Sequence, residues 1–300
     1  MCFAGIDIGG TTVKLCMMNE GGQILWEGSV DTIRNDPEGL AERIALALEG
    51  TNYPLTAAGV SCAGRVNTQT GLIIASNLKW MRVPFRAILE QRLGCPVSID
   101  NDVAGALYGE WTQGACQDEE NVLYITLGTG VGGAFLLGGK PYRGHDNTGG
   151  EVGHMITHAD GLPCPCGGRG CMEQYTSMTA LSRMAGGVST YEVFQRAEAG
   201  DEEMNRVLDQ YAHELAIGLA NLTGMLRFDL VVLGGGGANA GEPLLRRVRD
   251  QLYNHCPSMP TQELPRITLA TLGNKAGMIG GGMLAIRRWQ EQARQGGHDQ

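Results

Sequence analysis

No apolar stretch in this chain approaches the roughly 20 residues that a bilayer-spanning helix needs. The opening residues, MCFAGIDIGG, carry no basic segment ahead of an apolar run and a small-residue cleavage site. Positive charge is short as well: 23 Lys and Arg against 32 Asp and Glu leave a net charge of -9. Such a balance disfavours duplex nucleic acid and anionic lipid as main partners. The expectation is a soluble cytoplasmic protein with no membrane and no nucleic-acid partner. Also missing is a Pro-rich or charged linker, so any hinge is made by the fold rather than by a tether. The nine cysteines are an odd number and most are scattered, which argues against a disulfide-stapled secreted scaffold. At 300 residues the chain needs no such staples, and it lies near the size at which one core splits into two.

Glycine is what the chain has in excess, 46 residues, about twice ordinary usage. These glycines cluster after apolar strands. Phe3–Ile8 reads as a strand interrupted by Asp7 and closed by Gly9-Gly10-Thr11-Thr12. A second strand, Val13–Met18, meets a hairpin signal at Asn19-Glu20-Gly21-Gly22, and a third segment follows at Ile24–Trp26. The pattern recurs: Val122–Leu127, the turn Gly128-Thr129-Gly130-Val131-Gly132-Gly133, then Ala134–Leu137 and Gly138-Gly139. Strand, glycine turn, strand and tight turn occur twice, which fits an internally duplicated mixed α/β domain.

Between and beyond these repeats, Asp36-Pro37 starts a helix whose apolar face is Leu40, Ile44, Ala45 and Leu48. Ala57–Cys62 and Val97–Ile99 read as strands, and Glu202–Phe228 as mostly helix. Leu230–Leu233 is a buried-type strand ahead of Gly234–Gly237; Ile267–Leu272 is another. A last helix runs from about Ala276 towards Arg294 through Gly280-Gly281-Gly282, small residues that suggest close packing. The tail past Gln295, with Gly296 and Gly297, is expected to be disordered.

Glycine turns after strands let backbone N–H groups approach a phosphate, and threonine hydroxyls add donors. Asp7 would face the same place and could hold Mg2+ or its water shell. No Lys-Ser/Thr pair follows the glycines, so none is a Walker A loop. Gly128-Thr129-Gly130 leads into a strand, whereas a dinucleotide loop opens a helix. His154 with Cys164, Cys166 and Cys171 supplies the four ligands of a closed, structural zinc site; His158 and His145 are alternative imidazoles. Asp100-Asn101-Asp102 follows a strand and leads into a helix. A phosphoryl-transfer enzyme needs a carboxylate to take the acceptor proton, and Asp102 is the candidate, with Asn101 to orient the acceptor. Glu151 and Glu173, pinned at either end of the metal loop, suit a polyol's hydroxyls.

These segments resemble the ROK family of repressors, open-reading-frame proteins and sugar kinases, within the actin-like ATPase superfamily. IDIGGTTVKL at Ile6–Leu15 resembles its first phosphate loop, and LGTGVGGAFLLGGKPYRGHDNTGGEVGH at Leu127–His154 its signature region. CPCGGRGCMEQYTS at Cys164–Ser177 resembles its zinc loop, VVLGGGGANAG at Val231–Gly241 its adenosine region, and LGNKAG at Leu272–Gly277 its closing element.

The resemblance implies a duplicated actin-like (ribonuclease H-like) α/β fold, two lobes around a central cleft. The first lobe would span 1–115, completed by about 285–300; the second would span 116–284 and carry the zinc loop 154–171. Asp102 would be the base. Asn77, Asn101, Glu151, His154 and Glu173 would bind the sugar. Asp7, Gly9, Gly10, Thr11, Thr12, Gly130, Val131 and Gly132 would surround the phosphates of ATP and Mg2+, with Gly235 and Gly236 near the adenosine. A homodimer is implied too. Arg65 departs from the family's Pro-Gly-Pro type of turn and bears on which hexose fits.

The family's repressors carry a winged helix-turn-helix ahead of this body; with the first phosphate loop at residue 7, the expectation is a chain without one. A non-catalytic sugar sensor would be expected to lose Asp102 or the first glycine loop, and both are present. The expectation is ATP-dependent phosphorylation of a free hexose at the 6-hydroxyl, with glucose first. N-acetylmannosamine is the main competitor, then allose, fructose, N-acetylglucosamine and glucosides.

Overall fold

The computed structural model describes residues 1–256 and 258–296. It divides into two compact units. The first comprises Met1–Gln117, Arg143–Gly149 and Asn274–Gln300; the second comprises Asp118–Tyr142 and Gly150–Gly273. Sequence reading placed the return to the first unit near residue 285. The whole last helix, Ala276–Gly296, packs in the first unit, so the return comes at Asn274. The tail expected to be disordered begins past Gln295, but Gly296 still belongs to the last helix, and the remainder lies outside the described residues. Among the described residues no helix is long and apolar enough to cross a membrane.

In the first unit, β1 (Cys2–Ile8), β2 (Thr12–Asn19) and β3 (Ile24–Asp31) form an antiparallel meander. β3 alternates half-buried and exposed residues, as one edge of a sheet does, whereas β1 is buried throughout except at Asp7. Helix α1 (Pro37–Glu49) starts where Asp36 accepts the Gly39 N–H, and buries Leu40, Ile44 and Leu48. Then come β4 (Leu55–Cys62), the small sheet β5 (Arg65–Asn67), β6 (Leu72–Ala75) and β7 (Trp80–Val83), helix α2 (Phe85–Leu93), β8 (Val97–Asn101) and α3 (Asp102–Gln113). The main sheet runs β3-β2-β1-β4-β8, with β1, β4 and β8 parallel.

Glycines let the last helix sit directly on this sheet and on α3. A Cβ on Gly59 would stand 1.9 Å from the Gly281 carbonyl oxygen, and one on Gly280 would stand 1.8 Å from that of Gly105. Backbones this close exclude any side chain. The small-residue stretch read from the sequence is therefore a packing face.

The second unit repeats the plan. β9 (Val122–Leu127), β10 (Val131–Leu137) and β11 (Lys140–Tyr142) form a meander. Short helices α4 (Glu173–Thr176), α5 (Met178–Met184) and α6 (Thr190–Glu198) precede the long α7 (Glu202–Leu226). β12 (Leu230–Gly234), α8 (Gly241–His255) and β13 (Arg266–Leu269) complete it. Met204, Leu208, Tyr211, Leu215, Leu219 and Leu222 recur along α7 and fill the core against the sheet. The order is β11-β10-β9-β12-β13, with β9, β12 and β13 parallel. Order and sense match the first unit strand for strand, which is the duplicated α/β architecture expected from the sequence. β13 stops at Leu269 rather than Leu272; just beyond it the Ala270 N–H still reaches the Leu233 carbonyl.

Candidate functional site

In parallel α/β sheets the carboxyl ends of the strands are where ligands bind. In the first unit the register pairs Ile8 with Cys62 and Cys62 with Asn101, so β1, β4 and β8 end side by side. Asp7, Asn101 and Asp102 meet at that edge. Burial pushes the Asp7 carboxyl up to about 6; Lys14, whose Nζ is 3.9 Å away, pulls it down, and the charge of Asp102 pushes it further up. The helix residue Gly277 must lack a side chain there, since its Cβ would come within 2.9 Å of the Asp7 carboxylate.

Asp102 opens α3, where the helix N-terminus favours its negative charge. Asn101 caps that helix: its Oδ1 accepts from the N–H groups of Val103 (2.9 Å) and Ala104 (3.3 Å). Its Nδ2 donates to the Gly64 carbonyl at 2.8 Å. The carboxamide expected to orient an acceptor is thus engaged at both ends in holding the backbone.

The turn Gly9–Thr12 is pinned from behind. Gly9 N–H donates to the Thr12 carbonyl (3.1 Å), Thr32 Oγ1 to the Gly9 carbonyl (2.8 Å) and Arg34 Nε to the Gly10 carbonyl (2.9 Å). Asn77 is exposed and lies against this turn, its Nδ2 3.3 Å from where a Gly10 Cβ would stand.

Two side chains here escaped the sequence reading. Asp100 is buried, and its Oδ2 accepts from Arg143 Nε at 2.8 Å and from Nη2. A buried carboxylate demands a cation, but nothing in the sequence says which arginine supplies it. Arg65, marked as a departure, is exposed on β5, with Nη2 3.5 Å from Thr148 Oγ1.

In the second unit the turn after β9 is held by the residues that follow the cysteines. Gly128 N–H donates to the Gly130 carbonyl at 3.0 Å, Met178 N–H to the Gly128 carbonyl at 2.8 Å, and Thr179 Oγ1 to the Thr129 carbonyl at 2.9 Å. Glu173 Oε2 accepts the Val131 N–H at 3.0 Å, and its carboxylate fills the space that a Gly130 side chain would need. Gly132 follows on β10. Gly235 and Gly236, just past β12, lie against the Leu127 backbone. Glu151 is exposed at the start of a 3-10 turn, Val152–His154, that rests on β10; a Cβ on Gly153 would stand 2.1 Å from the Val131 carbonyl oxygen.

His154, Cys164, Cys166 and Cys171 converge, with ligand atoms all within 4.8 Å of one another. Cys164 Sγ is 3.8 Å from His154 Nδ1, and Cys166 Sγ is 3.6 Å from Cys171 Sγ. Ligands about 2.1 to 2.3 Å from a tetrahedral ion stand that far apart, so the donor set fits zinc. Gly168 N–H and Gln174 Nε2 point at Cys166 and Cys164 sulfurs (3.4 and 3.7 Å), as outer partners of thiolates do. His158 is occupied elsewhere. It stacks on Tyr175, with ring centroids 3.9 Å apart, and faces Glu214 at 3.4 Å. His145 belongs to the other unit.

The profile of the ROK family matches residues 3–288. A glucokinase of Halalkalibacterium halodurans is 32% identical over 99% of this chain and 98% of its own length. An N-acetyl-D-glucosamine kinase of Escherichia fergusonii is 31% identical over 95% and 99%. The crystal structure of a ROK family glucokinase from Streptomyces griseus in complex with glucose and AMPPNP superposes with a TM-score of 0.82, at 31% identity over 96% of this chain and 100% of that one.

Proposed function

We propose that glucose is the preferred acceptor and Asp102 the general base of this chain, which belongs to the ROK family and is an ATP-dependent hexose kinase. The observation that carries the reading is the edge of the first sheet. Two carboxylates that sense each other, Asp7 and Asp102, stand beside a rigid glycine-threonine turn. One acid at such an edge would be an ordinary cap. Two of them, beside backbone donors suited to phosphate, suit a proton acceptor and a cation holder in one reaction.

In this reading Asp102 accepts the proton of the attacking 6-hydroxyl as the γ-phosphoryl group transfers in line. Asn101 holds the backbone that presents Asp102. Asn77, Glu151, His154 and Glu173 bind the sugar's other hydroxyls. Gly9, Gly10, Thr11 and Thr12, with Gly130, Val131 and Gly132, offer backbone and hydroxyl donors to the phosphates, and Gly235 and Gly236 leave room for the adenosine. Mg2+ bound with the nucleotide would neutralise phosphoryl charge, and Asp7 is placed to hold it or its water shell. Zinc in the His154 and Cys164, Cys166 and Cys171 set is closed to substrate and therefore structural.

A coupled ADP-release assay over glucose, N-acetylglucosamine, N-acetylmannosamine, allose and fructose tests the substrate, comparing kcat/KM. Glucose should rank first, and an N-acetylhexosamine ranking first would overturn that assignment. Parent-like turnover in Asp102→Asn would overturn the general base.

A further inference from the structure

We infer that Arg143 and Asp100 are positioning residues for Asp102, so that the loop Arg143–Gly149 sets the aim of the general base. The inference rests on the reading of Asp102 given above and adds to it the device that holds that residue still.

Three consecutive residues at the end of β8 each have a separate task. Asp100 Oδ2 takes the Arg143 guanidinium, and its Oδ1 accepts the Asn101 N–H at 2.9 Å. Asn101 ties α3 to Gly64. Asp102 follows with its backbone fixed from both sides. The guanidinium arrives on a closed loop, since Gly149 N–H donates to the Arg143 carbonyl at 2.8 Å. That loop is fastened to β5 and the residue after it. Asn67 Nδ2 donates to the Asp146 carbonyl (3.4 Å), Thr68 Oγ1 bonds Asn147 Oδ1 (3.0 Å), and Arg65 reaches Thr148.

A buried ion pair is a poor way to gain stability, because desolvation consumes most of the attraction; an apolar pair of similar volume often does as well. What an apolar pair cannot do is accept the Asn101 N–H while fixing the strand end to a second loop. That distinction separates aiming from mere packing, and it can be measured.

Arg143→Ala should lower kcat about 10- to 100-fold, the scale of a misplaced reacting group, with the KM for ATP unchanged. Added methylguanidinium should restore part of kcat. The double variant Asp100→Leu, Arg143→Leu should regain the parent Tm without regaining kcat. Parent-like kcat in Arg143→Ala, or kcat returning together with Tm in the double variant, would overturn the inference. If Arg143→Ala does not fold, Arg143→Lys and the double variant carry the same test. Asp102→Asn run alongside keeps the two readings apart: its retained turnover would sink the general base, whereas its loss beside normal Arg143 variants would sink only the positioning role.

Discussion

β1 and β9 occupy the same place in their sheets and end in comparable glycine hairpins, yet the residue before the last is Asp7 in one and Thr126 in the other. β1 pairs Ile8 with Val13 around Gly9-Gly10-Thr11-Thr12; β9 pairs Leu127 with Val131 around Gly128-Thr129-Gly130. β8 then runs into a helix that opens with Asn101 capping and Asp102, while β13 fades into a loop. The duplicated framework has therefore been filled unequally. The first unit has acids at the carboxyl edge of its parallel strands. The second has a neutral edge and instead a carboxylate, Glu173, sent from the cysteine loop to hold its hairpin. One architecture can serve two kinds of chemistry because the sheet fixes positions and leaves the side chains at its edge free to differ.

The largest expected difference between the units is chemical. Asp102→Asn should cut kcat by about 10³- to 10⁴-fold, the upper range for a lost general base, while glucose binding by calorimetry and zinc content stay near the parent values. A comparable loss from Thr126→Val would break the comparison, because that position is assigned no charge to lose.

Metal comes next. Cys166→Ser should reduce zinc, read by elemental analysis, from about one per chain to near zero and lower the Tm by roughly 10 °C. Parent protein purified without any zinc would defeat this. A smaller test compares glycines. Gly59→Ala must push a Cβ into the Gly281 carbonyl and should destabilise by about 3 kcal/mol. Gly138→Ala, in the second unit's tight turn at φ +57 with open space around it, should cost only about 1 kcal/mol in denaturant titration. Equal costs would mean that the glycine excess is not a packing device.

These residues also mark how far the sequence can be read. Repeated strand–glycine–strand segments were legible because strands and turns are local, and so was the cysteine cluster, whose ligands lie within a short span. His154 was read as the ligand with His158 as an alternative, since both are close in sequence; the convergence of His154 with the cysteines, and the stacking of His158 on Tyr175 beside Glu214, needed the fold. So did the Arg143 partner of Asp100, which lies 43 residues away in the chain. Asn101 was read as part of the site, but its two backbone tasks depend on where Gly64 comes to rest. Close glycine contacts were suggested by Gly280–Gly282, but their partners on β4 and α3 required the fold.

The acid that most separates the two edges also separates them by pH. The Asp7 carboxyl is raised from 3.8 to about 6, first by burial. Between those values the folded protein holds a proton that the unfolded chain has released. Stability from this group is therefore fully present below 3.8 and lost as pH rises through about 6. In the Mg2+- and nucleotide-free protein, Asp7→Asn should add up to about 3 kcal/mol at pH 8, about 1.4 for each pKa unit, the opposing pull of Lys14 being already contained in the net rise. At pH 4 the gain should shrink to about 0.5 kcal/mol. Denaturant titrations at the two pH values check the sign, and a gain independent of pH would show that the mutation acts through packing rather than through charge. Thr126→Val, at the matching place in the second unit, should show no pH dependence at all, since no ionisable group is exchanged there.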